Sequence, residues 1–209
     1  MNYMTIHDCD RLQVSLSPRD GAYALSAWPV LGDQGVVGTA KRTKGLGSIF
    51  SGLRHRLPVE LIDGDGTVLC AVRRSIALKG DVGRYTVRDS SGNELGFYRH
   101  RREKDASGAA RGWVDILGSD ENRIAARTFD GQGSGYRFES AYPGWHELRG
   151  TLTPNRSEWT TAETRSISGL GRLSEHHRLL AAALTVIHDP WRSGEKVASR
   201  RSASASSFN

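Results

Sequence analysis

Residues 174–192, SEHHRLLAAALTVIHDPWR, are the stretch whose reading decides the fold. Ser174 is a good N-cap, Glu175 suits a first helical turn, and Pro190 ends whatever helix precedes it. Between them apolar residues occupy nearly every position from Leu179 to Ile187, interrupted only by Thr185. The spacing predicts a helix from Ser174 to about His188. Because it is apolar all round, rather than along one stripe, it belongs inside the protein, buried on every side. Its apolar stretch is about 14 Å long at 1.5 Å per residue, far short of the ~30 Å hydrocarbon core of a bilayer. The helix is therefore read as the centre of a folded domain and not as a membrane span.

The residues upstream say what surrounds it. From Leu57 onward one pattern recurs: an alternating β-branched or aromatic run, a Gly/Asp/Asn turn, and a second alternating run. In PVELIDGDGTVLCAVRR, Val59 and Leu61 precede the turn Asp63-Gly64-Asp65-Gly66, and Val68, Cys70 and Val72 follow it. In RYTVRDSSGNELGFYRHRR, Tyr85 and Val87 precede the turn at 89–93, and Leu95 and Phe97 follow. In WVDILGSDENRIAARTFD, Trp113 to Leu117 enter the turn at 118–122, and Ile124 and Ala126 leave it. Further strands are expected at Arg11–Leu16, Ala22–Trp28, Val36–Ala40, Tyr136–Ser140, Glu147–Leu152 and Glu158–Thr164. Successive hairpins make a meandering antiparallel sheet, and a single wholly apolar helix after them predicts a closed β-barrel wrapped around that helix. The fold class is thus mainly β, with one domain over residues 1–192 and a basic, Ser/Ala-rich tail at 193–209 that has too little to bury to be ordered.

Composition agrees. The chain has 209 residues, 37% hydrophobic and 25% charged, with 24 Gly and 6 Pro, which excludes collagen-like, coiled-coil and globally disordered classes. Cys9 and Cys70 stand far apart without a CxxC partner, so neither a zinc site nor a disulfide framework is signalled, and a reducing compartment is expected. The first residues do not have the basic and apolar regions of a secretion signal.

The repeated units YTVRDSSGNELGFYRHR and VELIDGDGTVLCAVRR, followed by HHRLLAAALTVIHDPWR, resemble the Tubby C-terminal-like group, in its phospholipid scramblase and LURP-one-related branches. The resemblance covers roughly residues 57–192. It implies a twelve-stranded antiparallel barrel enclosing a central hydrophobic helix. It also implies phosphoinositide or phospholipid binding as the kind of function to expect. The sequence departs from the scramblase pattern in having no cysteine-rich palmitoylation cluster and no Pro-rich N-terminal arm, which argues against lipid scrambling itself.

Charge supplies the candidate sites. The chain carries 29 Lys and Arg against 23 Asp and Glu, a net +6. That excess is concentrated. Residues 41–56, KRTKGLGSIFSGLRHR, hold Lys41, Arg42, Lys44, Arg54 and Arg56 with no acid, and Leu46, Ile49, Phe50 and Leu53 lie between them. Basic and apolar residues so mixed suit an anionic membrane surface, and equally a connecting loop whose apolar residues cap the barrel. Residues 99–104 carry a second patch in Arg99, Arg101 and Arg102. On a strand, Arg99 and Arg101 would share one face and His100 and Arg102 the other, as an anion-binding row or as the charged edge of a sheet. Counting the tail together with Arg192, the three segments carry +5, +3 and +3, which leaves the remainder of the chain at −5.

Other motifs carry less. Asp63-Gly64-Asp65-Gly66 has the alternate oxygens of a calcium loop, but the twelfth position, where a bidentate Glu would close it, is Arg74, and Asp-Gly is itself the favoured hairpin turn. His176-His177 are adjacent rather than four apart and read as polar residues at a helix start. Gly45-Leu46-Gly47 is only a fragment of a phosphate loop. No nucleophile elbow, Walker or dinucleotide pattern is present, so no enzyme, cofactor or metal is expected. The reading is a non-enzymatic, cytoplasmic protein that binds anionic phospholipid peripherally through the basic residues at 41–56 and 99–102. A protein-interaction module with a protein partner is the alternative, and specific nucleic-acid binding lacks any accompanying motif.

Overall fold

The structure is a computed structural model that describes residues 5–16, 27–43, 58–74, 84–104, 110–129, 135–156 and 161–187. Twelve strands follow one another along the chain: β1 (Arg11–Leu16), β2 (Ala27–Gly32), β3 (Gly35–Arg42), β4 (Val59–Asp63), β5 (Val68–Arg74) and β6 (Arg84–Asp89) in the first half. The second half supplies β7 (Glu94–Lys104), β8 (Ala110–Gly118), β9 (Arg123–Phe129), β10 (Gly135–Glu139), β11 (Arg149–Arg156) and β12 (Thr161–Ser168). Each pairs antiparallel with its neighbours in sequence, and β1 closes on β12 from Arg11↔Ser168 to Leu16↔Glu163, so the sheet is a closed barrel. Closure leaves no unpaired edge, which disposes of the edge-strand reading of residues 99–104.

Side chains alternate as the pleat requires. Leu12 and Val14, Val30, Ala40, Leu61, Cys70 and Val72, Val87, Tyr98, Val114 and Ile116, Leu152 and Ile167 form the inward face, nearly all fully buried. They pack on α1 (Glu175–Ala183), which continues as one 3-10 turn from Leu184 to Val186. Leu179 to Ile187 are buried without interruption, on all sides of the helix. The helix is thus the core expected from its sequence, though its α-helical part stops at Ala183, sooner than expected. Ser174 caps it, its hydroxyl accepting the His177 N–H at 3.4 Å.

Two close approaches let the helix and its surroundings fit. Gly96 faces the helix, where a Cβ would meet the Leu117 carbonyl and the Leu180 side chain. The neighbouring Tyr98 hydroxyl donates to the Leu180 carbonyl. Gly150 is covered by the Tyr136 ring, which lies across it so that the phenol donates to the Ser166 carbonyl at 2.9 Å.

An up-and-down barrel has two kinds of end. The links from even to odd strands, together with the entry to α1, all lie at one end, called here the turn end. The odd strands run toward the other, the far end, where the links between odd and even strands fall outside the described residues. Part of the expected strand Ala22–Trp28, the stretch from Lys44 to Arg56, Pro190 and the tail 193–209 also lie outside them.

Candidate functional site

At the turn end, acidic residues are occupied in holding the chain. Asp63 accepts the Ile6 N–H at 2.9 Å, Asp33 that of Asp10 at 2.9 Å, and Asp10 that of Gly171 at 3.0 Å. In the hairpin turns Asp65 accepts from Thr67, Asp89 from Asn93 and Asp120 from Asn122, and Asp8 caps Thr5. These are the side-chain-to-backbone bonds that make Asp a turn residue. Hydrogen bonding to the charged form holds four of the carboxyls below their ordinary value: Asp8 through the Thr5 side chain, Asp65 through the Thr67 N–H, Asp89 and Asp120 through the Asn93 and Asn122 side chains. Asp63-Gly64-Asp65-Gly66 is accordingly a hairpin turn whose two carboxylates serve different partners, Ile6 and Thr67. Among the described residues no cluster of His, Cys, Asp or Glu could hold a metal.

The turn end also anchors the helix. The Arg178 guanidinium donates to the carbonyls of Leu170 (3.1 Å), Leu173 (3.3 Å) and His7, tying the start of α1 to segments at both ends of the sequence. His177, in the first turn, sits edge-on to Tyr142 and Trp145. Burial first, and the charge of His176 second, lower its pKa. His177 therefore serves the packing of the helix start, and His176 beside it is exposed.

Basic residues gather toward the far end, and the structure divides the sequence-predicted ones between two faces. Lys41 is exposed on the outside of β3, whereas Arg42, the next residue, is on the inward side with its guanidinium 5.2 Å from the centre of the Trp28 ring. Lys44, Arg54 and Arg56 lie outside the described residues. On β7, Arg99 and Arg101 share the outer face as alternation predicts, and His100 is buried facing inward. Arg102 takes a strand position of inward parity. Arg99 rests over the Phe97 ring, 5.5 Å from its centre, and Arg101 is bonded to Asp115 at 3.0 Å. Asp115 is nearly buried and also faces Arg123 (3.3 Å) and the Trp113 indole N–H (3.2 Å), so part of the charge of this outer row is compensated.

Sequence reading missed a further set of residues on the inward face. Arg74 lies one inward position beyond Val72 and over the Tyr85 ring, at 5.7 Å. Arg127 lies beyond Ala125 and over the Tyr136 ring, at 5.2 Å. Arg165 lies beyond Ile167 and is bonded to Glu163 at 2.8 Å. Arg127 and Arg165 are each only 2% exposed. Strand alternation was the signal: each of the three continues the period-two series of apolar inward residues on its own strand.

Cys9 and Cys70 are both buried free thiols, and burial pushes the Cys70 thiol up to about 12. No described helix is long and apolar enough to cross a membrane. Comparison with protein-family models, with curated proteins and with solved structures finds no match to the chain.

Proposed function

We propose that this chain is a non-enzymatic, Tubby-like barrel of the scramblase and LURP-one branch that binds anionic phospholipid peripherally, at a cytoplasmic membrane surface, with its far end toward the lipid. The observation that carries the reading is the separation of charge along the barrel axis. Carboxylates at the turn end are used by the fold: Asp8, Asp10, Asp33, Asp63, Asp65, Asp89 and Asp120 accept backbone N–H groups, and Glu94, Glu121 and Glu147 pair with arginines. Lys41, Arg99 and Arg101 on the outside of the far end have no such structural duty toward the backbone.

Magnitudes favour the same orientation. A basic residue close to an anionic leaflet contributes about 1 kcal/mol, and the field decays within a Debye length of about 8 Å at physiological salt. Strands of five to eleven residues at about 3.3 Å each, tilted as barrel strands are, put the acidic turns roughly 15 Å behind the basic end. The attraction is therefore felt and the repulsion screened. The two buried thiols support a reducing compartment.

Flotation with vesicles tests the proposal. The protein should float with phosphatidylserine-containing vesicles and not with phosphatidylcholine alone. The double variant Lys41→Glu/Arg99→Glu should lose most of the recovery while keeping its melting temperature. Equal recovery on neutral and anionic vesicles, or no effect of charge reversal, would sink it. In a fluorescent-lipid assay no calcium-stimulated scrambling is expected.

A further inference from the structure

We propose that residues 140–148, the link from β10 to β11, form a cap against the start of α1 that opens when His177 takes up a proton. The link is longer than the other strand-to-strand links at the turn end, which have two to four residues. It uses the extra length to fold back on the helix start. Trp145 and Leu148 are fully buried there, although Tyr142, Pro143 and His146 beside them are exposed. Trp145 lies against Phe138, with ring centres 5.6 Å apart, and against His177 at 5.8 Å. Tyr142 meets the same imidazole edge-on at 5.5 Å. His177 is thus the helix residue on which two rings of the cap rest.

Polar fastening adds little to that packing. The Trp145 indole N–H is buried with no hydrogen-bond partner, a cost of the closed cap that solvent would remove. Glu147 pairs with Arg172 in the turn before α1, but the Arg172 side chain is 64% exposed, and exposed pairs hold weakly.

A proton on His177 is badly placed while the cap is closed. The residue stands in the first turn of α1, at the positive end of the helix dipole. Its own helix adds Glu175, His176 and Arg178, the preceding turn adds Arg172, and the cap adds Tyr142, His146 and Glu147. Arg178 also reaches the carbonyl of His7, next to Asp8. Glu147 is engaged by Arg172 and Asp8 by the Thr5 N–H, which leaves Glu175 to offset the neighbouring cations. Burial first, and His176 second, hold His177 below its ordinary 6.5. Opening hydrates the ring, so proton uptake favours the open cap by linkage. The open form uncovers Trp145 and Leu148, and none of these residues belongs to the membrane-docking surface.

Hydrogen exchange of the full chain tests this, followed on peptides covering 141–148 and on the turns at 63–67 and 89–93, with intrinsic rates corrected for pH. One pH unit below the ordinary histidine value, linkage allows opening to rise by at most about tenfold. Between about pH 7.5 and about pH 5.5 the amides of 144–148 should therefore exchange about three- to tenfold faster, while the other turns keep their protection. His177→Gln should remove the pH response. His177→Lys, charged at both pH values, should exchange fast at both. If that variant does not fold, Tyr142→Ala, at an exposed position, should speed exchange of the cap at the higher pH and move the NMR titration midpoint of His177 toward 6.5. Equal protection of the cap at both pH values, a loss spread evenly over all the turns, or a pH response retained in His177→Gln would overturn the proposal.

Discussion

Single residues at the turn end explain why this barrel keeps its helix. Arg178 joins the helix start to the carbonyls of Leu170, Leu173 and His7, contacts that span most of the chain. Hydrogen bonds to a charged group contribute about 1.5–3 kcal/mol each and do not add fully, so Arg178→Met should lower stability by about 2–4 kcal/mol in denaturant unfolding. A change within 0.5 kcal/mol, about the size of a neutral surface substitution, would contradict that role. Titration follows from the residues too. His177 has a lowered pKa in the fold, so the unfolded chain takes up its proton first and stability should fall as pH drops through about 6.5. The lowered carboxyls of Asp8, Asp65, Asp89 and Asp120 add stability that is present above 3.8 and lost as pH falls below it, through their lowered values in the fold. Melting curves against pH should show both steps, and His177→Gln should remove most of the upper one. A profile unchanged by that substitution would assign the upper step elsewhere.

At the scale of elements, the helix and the hairpins were legible because their signals are local. Strand β1 matches its expected bounds, and the turns at 63–67, 89–93 and 118–122 close as their Asp, Gly and Asn residues predict. The shortening of α1 to Ala183 was not legible, since a 3-10 turn differs little in composition from an α turn. The Tyr136 ring over Gly150 was not legible either, because it depends on strands brought together by pairing. Gly150→Ala would drive a Cβ into that ring and should cost about 1–3 kcal/mol by overpacking. The test of the helix as core is Leu184→Asp, which would bury an unpaired charge at a position only 1% exposed. That variant should have no cooperative thermal transition, and a soluble variant that melts like the parent would place the helix outside the barrel.

Across the whole molecule, reading charge by segment found where basic residues cluster along the chain but not how the sheet divides them. Lys41 and Arg42 are adjacent in sequence and lie on opposite faces, as do Arg99 and His100. Arg74, Arg127 and Arg165 escaped notice because each stands in a separate strand outside the long basic runs, and only the strand alternation of the closed sheet turns them inward. The same closure sets carboxylate-stitched turns at one end and leaves the outward Lys41, Arg99 and Arg101 toward the other.

That polarity is the centre of the functional account, and an environment-sensitive fluorophore placed at either end tests it most directly. Cys9 and Cys70 are buried, so labelling can be confined to one introduced thiol, Ser15→Cys near the far end or Ser91→Cys in a turn, both exposed positions. On phosphatidylserine-containing vesicles the Ser15→Cys label should shift to the blue and the Ser91→Cys label should not. A blue shift at Ser91→Cys alone, or at neither position, would contradict the orientation and with it the proposed mode of membrane binding.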